Sequence, residues 1–379
     1  MAMKAMASRL GGALILALLL VAGGLPARGA DAGPDEERSR GEAAIRNGLK
    51  WLATQQVAEG PEAGSWETGE ARYRSAAASL AGLAFLANGH LPGDPVYGPV
   101  VERALAFVKP GMGPDGYLGQ GDQSGMYIHA ICTLFGLSCL GMSTNAAADA
   151  GLAEWCRRSV RLIEEAQKVS RRDEARGGWR YTPSTDESDV SVTSWQLLVL
   201  HAARQCGYAV DEDGLSAAVR FINGAYREEG TGTVAVAGFV YRPGVSRHPE
   251  PGVTGAALFV KSLIERRADE RVVKSLAFLE RVPPAWGGEA YGGYFYFSSF
   301  YMAQGMFQMG DGPWGRFIGP MRRVLVEHQA GDGSWPYPED DMRQGRLAGP
   351  ALSTAMAVLI LSLDKQYLPM YQRQAGLFR

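Results

Sequence analysis

Residues 177–207 read "GGWRYTPSTDESDVSVTSWQLLVLHAARQCG", and the fold turns on how this stretch is parsed. A Gly-Gly-Trp turn is followed by a run of acidic and hydroxyl side chains. An apolar segment then spaces its side chains for a helix and stops at Gly207, a residue that accepts the left-handed conformation of a helix C-cap. A turn of this kind feeding a helix that is apolar nearly all round implies a helix enclosed by other helices.

The same unit recurs along the chain. Gly-plus-aromatic turns stand at "GSW" (64–66), "GYL" (116–118), "GGW" (177–179), "GF" (238–239), "GGYF" (292–295) and "GSW" (333–335), six in all. Each lies between an amphipathic, charged helix and an apolar one. In "RADERVVKSLAFLER" (267–281), Val272, Val273, Leu276 and Leu279 make one apolar stripe opposite Arg, Glu and Lys. By contrast, "SAAASLAGLAFLANG" (75–89), "MYIHAICTLFGLSCLG" (126–141) and "ALSTAMAVLILSL" (351–363) have no wet face. Gly89, Gly141, Gly207 and Gly310 end four of these inner helices. Six wet outer helices alternating with six buried inner ones predict an all-α fold, an (α/α)6 toroid. An open solenoid is the alternative, but it calls for polar capping repeats at its ends, and none is evident. The longest insertions, near 170–190 and 228–252, lie where a rigid scaffold carries function.

The bulk numbers bound the rest. The 379 residues carry a net charge of −2 and no basic cluster, which makes nucleic acid an improbable partner. Lys4 and Arg9 precede the apolar run 11–24, and "ADA" (30–32) offers a peptidase site, so residues 1–32 read as a secretory signal and cleavage region. The expected organisation is therefore one toroid domain over 33–379 in an exported, periplasmic or secreted protein, with no membrane span after cleavage. Cys132, Cys139, Cys156 and Cys206 fit buried small hydrophobes. None lies near the cleavage junction to carry a lipid.

"HQAGDGSWPYPED" (328–340), with Gln329, Gly333 and Trp335, resembles the Gln-and-Trp repeat of squalene and oxidosqualene cyclases. "QQVAEGPEAGSW" (55–66) is a looser copy, and the turn at 177–179 belongs to the same series. The similarity extends over the mature chain at the level of the prenyltransferase and squalene-oxidase repeat superfamily and implies the toroid. It also implies a bracing role for Trp66, Trp179 and Trp335: a flat indole packs at a helix start while the Gln amide ties backbone groups.

The family's chemistry is another matter. Squalene-hopene type cyclases protonate an alkene with an Asp-x-Asp-Asp-Thr run. On "DVSVT" (189–193) Asp189 and Thr193 match, but Ser191 and Val192 replace the second and third aspartates. The catalytic acid motif is thus expected to be lost, with Asp186, Glu187 and Asp189 the candidates if any acid acts here. Asp189 is equally placed to cap the helix that follows. The prenyltransferase zinc site needs an Asp two residues before a Cys, which none of the four cysteines has, and "CGYA" (206–209) stops short of a thioester motif. The five histidines show no ligand spacing, and no Walker loop or nucleophile elbow occurs, so no metal and no cofactor is expected.

In such a toroid the inner-helix N-termini converge on one mouth. Tyr127, His129, Thr193 and Trp195 are expected there, together with Tyr294, Tyr296 and Tyr301 from the aromatic run "YGGYFYFSSFY" (291–301). Aromatic walls suit a hydrophobic, cationic or sugar ligand. Two functions follow as expectations. One is a binding toroid for a hydrophobic, possibly isoprenoid, small molecule or a protein partner. The other is an enzyme, either a divergent terpenoid cyclase or a carbohydrate-active (α/α)6 protein using Asp186, Glu187 or Asp189, with Asp340 or Asp341 across the mouth.

Overall fold

In the computed structural model, residues 33–142, 145–230, 236–265 and 269–372 are described. The signal and cleavage region inferred at 1–32 lies outside them. Twelve α-helices are present among the described residues. The outer set is α1 (Pro34–Gln55), α3 (Gly98–Val108), α5 (Ala146–Gln167), α7 (Glu212–Gly224), α9 (Glu270–Leu279) and α11 (Asp311–Glu327). The inner set is α2 (Arg74–Leu86), α4 (Gly125–Ser138), α6 (Val190–Gln205), α8 (Pro251–Ile264), α10 (Phe295–Gln308) and α12 (Met342–Leu361). Each inner helix packs on the next, and α12 returns to α2, so the ring closes. That closure makes it an (α/α)6 toroid and not an open solenoid.

Burial follows the sequence pattern. In α2 every side chain from Ala76 to Leu86 is buried, whereas α1 hides only one stripe that includes Ile45, Leu49 and Leu52. Gly89, Gly141, Gly207 and Gly310 all take positive φ, between 71° and 106°, as the four expected caps require.

The turns show why Gln, Gly and Trp recur together. Trp66, Trp179 and Trp335 are buried, and each indole N–H donates to a carbonyl of the preceding outer helix: Leu52 at 2.8 Å, Ile163 at 2.8 Å and Leu325 at 2.7 Å. Gln56, Gln167 and Gln329 each donate to two carbonyls. One belongs to the turn glycine (Gly64, Gly177, Gly333) and the other to the adjoining unit (Val100, Gly214, Ala44). Gly177 has φ +91°, and a Cβ there would sit 2.5 Å from the Ala217 carbonyl. The turn must approach the next outer helix that closely for the glutamine to reach both groups. Bracing from unit six to α1 closes the ring by the same device.

Three features depart from expectation. The insertion after α7 forms an antiparallel pair, β1 (Tyr226–Glu229) with β2 (Val236–Phe239), pairing Tyr226 with Phe239. Cys206 is exposed at the end of α6, unlike the other three cysteines, which are buried. The chain after α12 also folds beneath the ring. Gln308 donates to the Gln372 carbonyl at 3.4 Å, and the buried Tyr371 reaches Phe300 with ring centroids 6.3 Å apart. No helix among the described residues is long and apolar enough to cross a membrane.

Candidate functional site

The Gly-Gly-Trp turn is pinned to the start of α6 by an isolated bridge between Trp179 and Asp189, whose amide donates to the Trp179 carbonyl at 3.0 Å. Thr193, one turn into α6, accepts the Trp179 amide at 3.0 Å. In units four and six Thr254 and Thr354 accept the amides of Phe239 and Trp335 in the same way. In unit two the acceptor is His129, whose Nδ1 takes the Leu118 amide at 3.2 Å while Nε2 contacts the Ser159 carbonyl at 3.0 Å. Burial pushes the His129 pKa down to about 4, so the ring is neutral. Thr193 and His129, expected at the ligand-facing mouth, therefore spend their polar atoms on holding the turns.

Asp189 is the N-cap of α6. Its Oδ1 accepts the Val192 amide at 2.8 Å, and the residue is wholly buried. Its Oδ2 has no hydrogen-bond partner among the described residues and lies 3.9 Å from Arg180 Nε. Burial outweighs the helix amide, Arg180, a hydrogen-bonding contact from the Tyr241 hydroxyl that is longer than 3.5 Å, and Arg242, and lifts the carboxyl to about 7.

Four tyrosines surround this acid. The amide following Asp189, that of Val190, donates to the Tyr241 carbonyl at 2.9 Å and so fixes Tyr241 beside the cap. The Tyr241 and Tyr181 hydroxyls are 2.9 Å apart. Tyr127 lies among Asp189, Tyr241, Tyr301 and Ser191, and the Tyr301 hydroxyl meets Ser191 Oγ at 3.3 Å. Deeper in the ring, Trp195 stacks on Phe300 with centroids 5.7 Å apart. Its indole nitrogen has no partner among the described residues.

Arg180 covers the group from outside. Its guanidinium lies 4.4 Å from the Tyr181 ring centre and 5.8 Å from that of Tyr241. Its Nε is also 3.5 Å from Glu187, which pairs with Arg242 as well. Asp186 is 61% exposed and only 3.9 Å from Arg172, outside the buried group. Of the three candidate acids, Asp189 and Glu187 are brought to one guanidinium, and Asp186 is not.

The aromatic run divides. Tyr301 faces Asp189's neighbourhood, Tyr296 is buried with its hydroxyl on the Pro336 carbonyl, and Tyr294 is 54% exposed at the rim. A second buried acid, Asp341, accepts the Phe295 amide at 3.0 Å and so caps α10 from a neighbouring segment. Arg180, Tyr181 and Tyr241 were not singled out from the sequence. The one signal available was position, since all three flank Gly-aromatic turns. Among the described residues no cluster of three or more His, Cys, Asp or Glu could hold a metal ion.

No protein-family model and no curated protein matches the chain. Solved structures do match. The type II terpene cyclase MstE from Scytonema, in complex with its product merosterolic acid A, aligns with a TM-score of 0.56 at 14% identity, over 89% of this chain and 99% of that one. The α-1,6-mannanase GH76A of a Salegentibacter species, bound to α-1,6-mannotetrose, aligns with a TM-score of 0.56 at 11% identity, over 85% and 98%. At such identities the likeness is one of fold: this chain shares the α/α toroid of a terpene cyclase and of a glycan hydrolase.

Proposed function

We propose that the chain is an exported toroid that binds an uncharged, oxygen-bearing small molecule at the mouth of its ring, with Asp189 in its protonated form as the hydrogen-bond donor. The observation that carries this reading is the division of labour within one carboxyl. Oδ1 is used by the helix, and Oδ2 is buried, unpartnered and beside tyrosine hydroxyls. A buried polar atom without a partner costs about 1–3 kcal/mol, a cost that a ligand oxygen would remove. The tyrosines and Trp195 supply apolar faces for the rest of the molecule.

The same electrostatics argue against alkene protonation. That reaction needs a strong acid, and burial makes Asp189 a weaker one than a free aspartic acid. Loss of the cyclase acid motif, inferred from Ser191 and Val192, agrees with this. A carboxyl near 7 is instead matched to donating a proton to oxygen at neutral pH. One observation favours an enzymatic form of this reading: Glu187 and Asp189 meet the same Arg180 nitrogen, so two carboxyls stand side by side. Retained binding with loss of turnover in Glu187→Gln would identify that form.

The leader-like residues 1–32 support export. The test is native mass spectrometry of the protein purified from the periplasm of its host. A bound small molecule is expected in wild type and not in Asp189→Ala, which keeps no hydrogen-bonding group at this position. A wild-type protein that carries nothing, or a variant that carries the same mass, overturns the proposal.

A further inference from the structure

Asp189 is not the only buried carboxyl at the mouth. Asp341 is 2% exposed. Its Oδ2 is taken by the Phe295 amide at 3.0 Å, and its Oδ1 has no partner among the described residues. This repeats the Asp189 arrangement at another inner helix. Burial likewise lifts its pKa to about 7. Beside it the buried Tyr337 hydroxyl has no hydrogen bond within 3.5 Å among the described residues and only a longer contact with the Ser353 hydroxyl. The Tyr337 ring is held in place, with Tyr296 5.3 Å away between centroids and a close fit over Gly345 in the first turn of α12. Next to these atoms the rim is apolar and open, since Tyr294 is 54% and Met342 44% exposed.

The two acids are connected through α10. Asp341 caps its first residue, and Tyr301, about 9 Å further along the helix axis, touches Ser191 two residues from Asp189. Both free carboxyl oxygens thus belong to the N-terminal rim of the inner ring, and their contacts on α10 lie less than two turns apart.

We propose that Asp341 and Tyr337 form a second polar subsite of the mouth, and that the ligand is a neutral polyhydroxylated chain, a glycan, long enough to meet both acids. This rests on the reading of Asp189 as a binding group. A hydrocarbon with one polar head would satisfy Asp189 and leave Asp341 and Tyr337 unpaired. A cation would be opposed by Arg180 and Arg242 on the Asp189 side, and an anion by Glu187. A sugar chain instead offers hydroxyls along its length and flat apolar ring faces for the exposed Tyr294.

The experiment is binding of a ladder of neutral oligosaccharides, two to six units of gluco-, manno-, galacto-, xylo- and N-acetylglucosamine series, with farnesol as the single-headed comparison. Wild type is set against Tyr337→Phe, Asp341→Asn and Asp189→Ala. Tyr337→Phe removes a hydroxyl whose one protein contact is the long one to Ser353, so it is expected to leave the melting temperature close to wild type while weakening the longer oligosaccharides about tenfold. Asp341→Asn keeps an acceptor for Phe295 and is expected to do the same. Retention of farnesol alone, no retention of any oligosaccharide, or oligosaccharide binding unchanged in both Tyr337→Phe and Asp341→Asn would each overturn the subsite. Loss in the Tyr337 and Asp341 variants with none in Asp189→Ala would instead sustain the subsite and remove the reading of Asp189.

Discussion

Asp189 Oδ1 accepts the Val192 amide at 2.8 Å, so the one carboxyl that is candidate for ligand contact is also the cap of its own helix. The two roles separate by substitution. Asparagine can still accept from Val192 and donate through its side-chain N–H but cannot ionise, whereas alanine loses the donor and the cap, the latter at a cost of about 1 kcal/mol. Asp189→Asn is expected to melt close to wild type with ligand retained and the pH dependence of binding abolished. Asp189→Ala should lose both, and a differential scanning experiment on the pair reads the difference.

The raised carboxyls set a pH dependence of known sign. Asp189 and Asp341, at about 7 in the fold, bind protons that the unfolded chain has released above its ordinary carboxylate range. Their stabilising contribution is present in full below about pH 4 and declines as pH rises to about 7. His129, held near 4, works the other way, losing stability as pH falls below its unfolded value of about 6.5. With two acids against one histidine, chemical denaturation between pH 5 and 7 should show wild type losing stability with rising pH relative to the Asp189→Asn, Asp341→Asn double variant.

Ligand affinity should follow the proton on Asp189. Binding that requires the protonated form falls about tenfold per pH unit above the pKa, so titrations of the carried ligand from pH 6 to 9 are expected to be flat at first and to drop beyond 7. An affinity that rises over that range would assign the contact to an ionised group.

Bracing makes its own demands. Thr193→Val leaves the buried Trp179 amide without its acceptor and should cost about 1–3 kcal/mol. Gly177→Ala imposes a Cβ 2.5 Å from the Ala217 carbonyl at a positive φ, so it should cost at least as much. Because these groups face the protein and not the mouth, denaturation midpoints should move while ligand stoichiometry in the surviving folded fraction does not.

The ring was legible in the sequence because its signals are local and repeated. A stripe on one helix, none on the next and a Gly-aromatic turn between them fix the wet and dry layers without knowledge of distant contacts. The resemblance to Gln-and-Trp repeats added the bracing that Gln329 and Trp335 perform. The site was only partly legible. Asp189 could be placed at a helix start, but its unpaired oxygen depends on Tyr241, Tyr181 and Arg180, which reach it across turns of different units. His129 misled because its type suggests chemistry, while its position is that of the threonines that receive a turn amide. Cys206 escaped its expected burial because it stands at the C-cap of α6, past the enclosed part of the helix, with its thiol directed to the Leu137 carbonyl.

The most direct measurement is the titration of the Asp189 carboxyl itself, followed by carbon-13 NMR of aspartate-labelled protein and assigned by the signal missing from Asp189→Asn. A midpoint near 7 is expected, moving upward when ligand is bound. A midpoint near 4, the value of an ordinary aspartate, would mean that Asp189 is ionised at neutral pH and cannot be the donor on which the proposed function rests.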